Sequence, residues 1–398
     1  KESWFDAPWV DQLKLKASYG EQGNDNIGNF RYVNTYVIEN VDGDVAIRPN
    51  SMGNPDITWE KNGNFNAGFE FSLWNARLSG SFEGFYRKTS DMLSWVPLPD
   101  SFGWTGYYAN IGDMTNRGIE LELHGDILRG KDYDLGVDFN LTWYKNKISK
   151  LDPRRKTVTH DGHGGYENGS YFYGEGLPLY TFLMPSYAGV DPETGVALYW
   201  MDSEDENGNP IRETTTEYGY ATQYCQGTAL PDVYGGFNIH GSYKGFDLSV
   251  DFAYSIGGQC YDSDYAKMMS SPTSTSRGYN FHADLFNAWT PENTNTDVPR
   301  NIYTNGNDDY AYQTSTSNRF LTDASYLSLQ NINFGYTLPK TVTDKMYLKS
   351  LRVYLSADNV WLWSKRQGLD PRQSLAGSST ASYYAPIRTI SGGINITF

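Results

Sequence analysis

From Leu135 to Tyr144 every second side chain is apolar: Leu135, Val137, Phe139, Leu141 and Trp143 alternate with Gly136, Asp138, Asn140, Thr142 and Tyr144. Side chains on an extended strand point to alternate faces, so this stretch reads as a strand with one greasy and one polar face. The same phase returns at Phe65, Ala67, Phe69, Phe71 and Leu73, at Phe246, Leu248, Val250, Phe252 and Tyr254, and at Ile390, Gly392, Ile394, Ile396 and Phe398. Two-faced strands of about ten residues, joined alternately by short and long connections, are what a transmembrane β-barrel requires.

Twelve strands are predicted, at 11–20, 59–73, 77–90, 114–126, 133–147, 179–190, 195–202, 231–243, 246–260, 322–338, 350–363 and 386–398. Trp74-Asn75-Ala76, Leu128 to Asp132 and Lys244-Gly245 are minimal connections, and Asp191-Pro192-Glu193-Thr194-Gly195 has the Pro and Gly of a tight turn. The connections 21–58, 91–113, 148–178, 203–230, 261–321 and 364–385 are long and rich in Gly, Ser, Asn, Asp, Thr and aromatics. With antiparallel neighbours, all the long connections fall on one rim, the extracellular one in an outer-membrane barrel, and Phe398 ends at the periplasmic rim. A soluble β-sandwich would give the same alternation, but its strands are commonly about five or six residues, shorter than these.

Composition agrees with the barrel. Tyr (32), Phe (19) and Trp (11) bring aromatics to 16%, yet the mean hydropathy is -0.59. A wall with a polar lumen, polar loops and aromatic girdles reconciles the two values. Trp143, Tyr254, Trp361 and Trp363 lie near the loop-side ends of their strands, as membrane-belt aromatics do. No apolar run reaches the roughly 18 residues of a transmembrane helix. The net charge of -15 argues against a nucleic-acid partner.

Catalytic and metal patterns are weak. Glu120, Glu122 and His124 share one strand face and are expected to line the lumen. Asp202, Asp205 and Asn207 form a weak calcium candidate, because the EF-hand spacing fails: Ser203 and Thr214 fall at ligand positions. His160 and His163 have loose metal spacing with no third ligand nearby. Cys225 and Cys260 could form one disulfide in an oxidising compartment or remain two thiols. No nucleophile motif, phosphate loop or dinucleotide fingerprint occurs, so no enzyme activity and no required cofactor are expected. Loop aromatics are the better candidates for contact with substrate: Trp104, Tyr107, Tyr108, Tyr166, Tyr171, Phe172, Tyr173, Tyr279, Phe281, Tyr303, Tyr310 and Tyr312.

Local wording then becomes more specific than periodicity. The runs L-S-L-Q-N-I-N-F-G-Y-T-L-P (Leu327 to Pro339), S-L-R-V-Y-L-S-A-D-N-V-W-L-W-S-K (Ser350 to Lys365) and G-L-D-P (Gly368 to Pro371) resemble the C-terminal end of SusC-like TonB-dependent transporters. So do L-K-L-K-A-S-Y-G-E-Q-G-N (Leu13 to Asn24), W-E-K-N (Trp59 to Asn62), N-R-G-I-E-L-E (Asn116 to Glu122), G-V-D-P-E-T-G (Gly189 to Gly195) and L-P-D-V-Y-G-G-F (Leu230 to Phe237). The resemblance runs along essentially the whole chain, in order. It implies an antiparallel transmembrane β-barrel of roughly 22 strands with a plugged lumen, of which 1–398 would supply about the last twelve. Plug domain and N-terminal strands are then expected outside this chain, the N-terminal half of the barrel being a required neighbour. The resemblance also implies a SusD-like surface lipoprotein lid, TonB acting through the plug, uptake of glycans or peptides across a Gram-negative outer membrane, and Phe398 as the barrel-assembly signal. A passive porin and a secreted carbohydrate-binding β-protein are the alternatives.

Overall fold

The computed structural model describes residues 7–270, 280–302, 316–379 and 384–398. Ten long strands hydrogen-bond in chain order: β1 (Val10–Asn24), β2 (Glu60–Leu73), β3 (Leu78–Ser90), β4 (Gly112–Arg129), β5 (Tyr133–Leu151), β6 (Val233–Tyr243), β7 (Phe246–Ile256), β8 (Tyr326–Thr337), β9 (Ser350–Ser364) and β10 (Thr389–Thr397). Twelve were expected. The two that do not join this sheet, 179–190 and 195–202, are extended but pair among the loops. Thr181–Pro185 pairs with Gln223–Thr228, and Ala197–Glu204 lies between Tyr187–Val190 and Pro210–Thr215. Every residue of Thr181–Pro185 is buried, so this strand has protein on both faces and lacks the alternation of a wall strand.

The tight turns form as expected. Trp74, Asn75 and Ala76 all take positive φ (55°, 58°, 59°), and the Asp11 carboxylate accepts the Ala76 N–H at 2.9 Å. Between β6 and β7 the turn residues Lys244 (φ 48°) and Gly245 (φ 90°) supply the two left-handed conformations of a two-residue hairpin.

The chain divides into two compact units, with β5 contributing to both. In the first, register aligns Leu15, Phe69, Phe82 and Leu121 in one row and Leu13, Phe71, Gly80 and Leu123 in the next. The opposite face is ionic: Lys16 contacts Glu70 (2.7 Å) and Glu83 (3.8 Å), Lys14 contacts Glu70 (3.2 Å), and Arg87 faces Glu120 (3.6 Å). Glu122 and His124 lie on this polar face too, His124 Nδ1 standing 2.6 Å from Asp138.

In the second unit Leu248, Phe334, Leu355 and Gly392 form one apolar row and Phe246, Tyr336, Val353 and Ile394 another. Its polar face is a hydrogen-bond lattice. Arg352 donates to both Asp247 oxygens (3.0 and 2.5 Å) and to Asn333, Asn331 donates to Asp358 (2.6 Å), and Asn238 donates to Asp251 (2.6 Å). Tyr254, Leu327 and Trp363 share a row at the loop-side end, with Trp361 beside Leu329.

The apolar rows carry largely exposed side chains: Leu15 is 81% exposed, Leu355 60% and Ile394 63%. The dry clusters of the second unit are in its loop-side segments instead, at Ala266, Met269, Ala288, Val298 and Phe320 and at Phe182, Met184 and Ala229. Burying a Leu, Ile or Phe side chain is worth about 1.5–3 kcal/mol, so leaving these rows in water would forgo on the order of 10 kcal/mol or more.

Candidate functional site

The most built polar site lies beyond the loop-side end of β7. Gly257 and Gly258, both at positive φ (83° and 80°), turn the chain out of the wall, and the Gly257 N–H donates to Ser325 Oγ at 2.9 Å. Gln259–Tyr261 then pairs with Leu321–Asp323. Asp262 follows as the cap of a short helix, Ser263–Met268, its carboxylate accepting the Tyr265 N–H at 3.0 Å.

That carboxylate is buried and faces Arg366 at 3.4 Å, while the Arg366 guanidinium covers the Tyr265 ring at 3.9 Å. The Tyr265 hydroxyl donates to Asp284 Oδ2 at 2.7 Å, and His282 sits edge-on to the ring at 4.9 Å with Nδ1 3.3 Å from the same oxygen. Burial, reinforced by the Asp284 hydrogen bond, pushes the Tyr265 phenol above its ordinary range.

These side chains, with Asp264 and Asp370, line a cavity of about 580 Å³. Its floor is fixed by Asp370, which caps the turn Pro371–Gln373 and takes a two-pronged contact from Arg372 (2.8 and 2.7 Å). Burial alone would raise the Asp370 carboxyl; the Arg372 side chain and backbone N–H hold it below its usual value. Arg372 also donates to Ser328 at 3.0 Å, tying the G-L-D-P loop to β8. The arrangement presents carboxylates, a guanidinium, a phenol and an imidazole around one open space, which suits binding of a polar solute.

None of these cavity residues was singled out from sequence. They come from segments far apart in the chain, and the one local signal is the G-L-D-P turn beside Arg366.

The predicted loop aromatics fall into separate small clusters. Trp104 stands edge-on to Tyr36 at 5.4 Å. Tyr107 and Tyr108 are on Gly106–Asn110, opposite Val96 and Trp95, with Tyr108 between the Trp95 ring (5.3 Å) and the Arg31 guanidinium (4.8 Å). Tyr166 stacks on Tyr173 at 5.2 Å, and Arg155 lies 3.6 Å over Tyr166. Tyr171 donates to the Ala376 carbonyl at 2.7 Å and packs on Tyr180 and Phe182. Phe172 is fully buried, so its assignment to substrate contact is corrected: it offers no ring face. Phe281 is exposed. Tyr279, Tyr303, Tyr310 and Tyr312 lie outside the described residues.

Cys225 and Cys260 are not bridged, the two-thiol alternative: they are held on different strand pairs opposite Leu183 and Thr322, and burial pushes the Cys260 thiol up to about 12. In the calcium candidate, Asp205 Oδ1 accepts the backbone N–H groups of Asn207 and Asn209, both at 2.8 Å, and the Asn209 side chain first, with these N–H groups, lowers its carboxyl. Asp202 instead accepts the Tyr224 hydroxyl at 2.7 Å. The segment is a self-closed hairpin turn. The His163 ring is tied at Nδ1 to the Glu175 carbonyl (2.8 Å), and no cluster of three or more His, Cys, Asp or Glu able to hold a metal occurs among the described residues.

Residues 5–174 match the family described as TonB dependent receptor-like, beta-barrel. Along its full length the chain is 28% identical to TonB-dependent receptor P3 of Formosa agariphila, covering 40% of that protein, and over 98% of its length it is 27% identical to TonB-dependent receptor SusC of Bacteroides thetaiotaomicron, covering 38%. The fold superposes on the RagAB peptide importer in its closed-closed state with a TM-score of 0.83 at 30% identity, over 99% of this chain and 42% of that one. The chain thus spans about two-fifths of the length of the relatives it matches.

Proposed function

We propose, for a chain whose sequence and fold are those of a TonB-dependent receptor-like β-barrel, that it builds wall and mouth of an outer-membrane nutrient importer of the SusC kind. The observation that carries this reading is the two-faced wall: rows of uncovered Leu, Ile, Val and Phe on one side, an ion-paired and hydrogen-bonded surface on the other. A bilayer supplies the missing apolar partner for the first face, and an aqueous lumen suits the second.

β1 and β10 stand at the two ends of the strand order, each with one edge unpaired among the described residues. In lipid every unsatisfied backbone group costs several kcal/mol, so both edges need neighbours. In this reading they come from the rest of a longer polypeptide, which also carries the plug on which TonB pulls. The long loops face the cell exterior, Phe398 ends at the periplasmic rim as the assembly signal, and a SusD-like lipoprotein closes over the loops.

Cargo is a polar solute, a glycan or a peptide, handed through the mouth past the Asp262–Tyr265–Asp284–Arg366 cavity. The chain's own work is to bind, orient and let pass, without breaking bonds in the cargo. The peptide-importer description of the RagAB neighbours supports peptide as one class. The test is fractionation of the full-length protein together with uptake in cells. Detergent-only extraction, and uptake weakened by Tyr265→Phe combined with Asp284→Asn, are expected; a protein stable in plain buffer would end the proposal.

A further inference from the structure

The cavity beyond β7 holds more acceptors than its own donors satisfy, and the groups already engaged decide what can complete it. Asp262, Asp264, Asp284 and Asp370 all line it. Guanidinium groups answer two of them: Arg366 stands 3.4 Å from Asp262, and Arg372 grips Asp370 at 2.8 and 2.7 Å.

The other two carboxylates lack a cation. His282 does not supply one, because its Nδ1 accepts the Asp284 backbone N–H at 3.2 Å, which puts the ring proton on Nε2 and leaves the imidazole neutral. Asp284 takes its side-chain hydrogen bond at Oδ2, from the Tyr265 hydroxyl at 2.7 Å, and Oδ1 stays open. Asp264 takes neither a hydrogen bond nor an ion pair among the described residues, although its side chain is half-buried.

The strong donors have no such surplus. Arg366 lies over the Tyr265 ring at 3.9 Å while it faces Asp262, and Arg372 divides between Asp370 and Ser328. A charge withdrawn from water is costly unless it is paired and hydrogen-bonded, so the missing partner brings N–H donors and positive charge together. Calcium would need six or more oxygens, and no group of three or more His, Cys, Asp or Glu able to hold a metal occurs among the described residues. Met268 and Leu369 also line the cavity and offer apolar surface to a carbon skeleton.

We infer that the cavity selects cargo through a primary ammonium group, bound by the Asp264 carboxylate and Asp284 Oδ1, with the adjoining carbons against Met268 and Leu369. The inference deepens, and rests on, the reading of this cavity as part of the cargo path. A peptide N-terminus, a lysine side chain and an amino sugar share this chemistry. An uncharged glycan does not, since it would leave both carboxylates without a counter-charge.

The experiment is saturation-transfer NMR of the full-length protein in detergent micelles, with trialanine, N-acetyl-trialanine, glucosamine trimer and its N-acetylated form as probes. The amine of at least one pair should bind, and its acetylated counterpart at least about tenfold more weakly. Binding of trialanine alone assigns a peptide source, and binding of the glucosamine trimer alone an amino sugar. Asp264→Asn, which breaks no hydrogen bond, should weaken amine binding at least about tenfold, and Asp264→Asn/Asp284→Asn should weaken it further. Asp44→Asn, in a hairpin of the first unit, should bind as wild type does. Where the double variant lacks the heat-modifiable migration of a folded barrel, Asp264→Asn alone decides. Equal binding of amine and acetylated probes, an Asp264→Asn protein that binds like wild type, or displacement of the amine by micromolar calcium would overturn the inference and leave a cavity for other polar solutes. No binding of any probe would overturn the cargo-path reading with it.

Discussion

Leu355 and Ser356 are neighbours on β9 and should respond oppositely to the same substitution. Leu355 lies in the row with Leu248 and Phe334 and is largely exposed, while Ser356 faces the polar lattice and accepts a hydrogen bond from Asn331 at 3.2 Å. Leu355 is about five residues along the strand from Ser350; at roughly 3.3 Å per residue and a tilt of about 45° that places it about 12 Å into an apolar band about 25 Å tall, close to its middle. An arginine at the midplane of such a wall costs about 2–4 kcal/mol, whereas one on a polar surface changes stability by about 0.5 kcal/mol or less. Urea unfolding of the full-length protein in lipid vesicles measures both. Leu355→Arg should lower stability by about 2–4 kcal/mol and Ser356→Arg should leave it nearly unchanged. Equal effects at the two positions, or a neutral Leu355→Arg, would refute the assignment of faces.

Because Cys260 is only 1% exposed and burial pushes its thiol up to about 12, iodoacetamide at pH 8 should modify it only after unfolding, and intact-mass analysis should find no Cys225–Cys260 bridge. Asp370 has a folded pKa held below its usual 3.8, so its contribution is present above that pH and disappears as pH falls through the lower folded value. Asp370→Asn should therefore cost about 1–3 kcal/mol at pH 7 and progressively less as pH falls below the ordinary carboxylate value of 3.8, read from denaturation midpoints across pH. Replacing Arg352 by Ala leaves Asp247 and Asn333 without their shared donor, yet both Arg352 and Asp247 are partly open to solvent; a loss of about 1 kcal/mol is expected in the same unfolding assay.

The wall was legible because its physics is local. Period-two alternation in 65–73, 135–143 and 246–254 needs no knowledge of partners, and Lys244-Gly245 announces its hairpin by turn chemistry alone. The strand count came out two too high where that logic was applied without its criterion. Thr181–Pro185 carries the apolar run Phe182-Leu183-Met184 and ends in proline, with every residue buried, which marks a strand enclosed by loops.

The polar cavity was invisible for the opposite reason. Asp262, Tyr265, His282, Asp284 and Arg366 are gathered from three segments by loop folding, and each alone looks like an ordinary surface residue. The loop aromatics were correctly seen as numerous, but Phe172 and Tyr171 are taken up by packing, which sequence does not distinguish from readiness to stack on a ligand.

The central claim is that one face of the wall meets lipid, and quenching of single tryptophans by brominated phospholipid measures this most directly. Tryptophan placed in turn at 246 through 251 of the full-length, otherwise tryptophan-depleted protein should be strongly quenched in place of Phe246, Leu248 and Val250 and weakly in place of Asp247, Ser249 and Asp251. Uniform quenching, or none, along those six positions would contradict it.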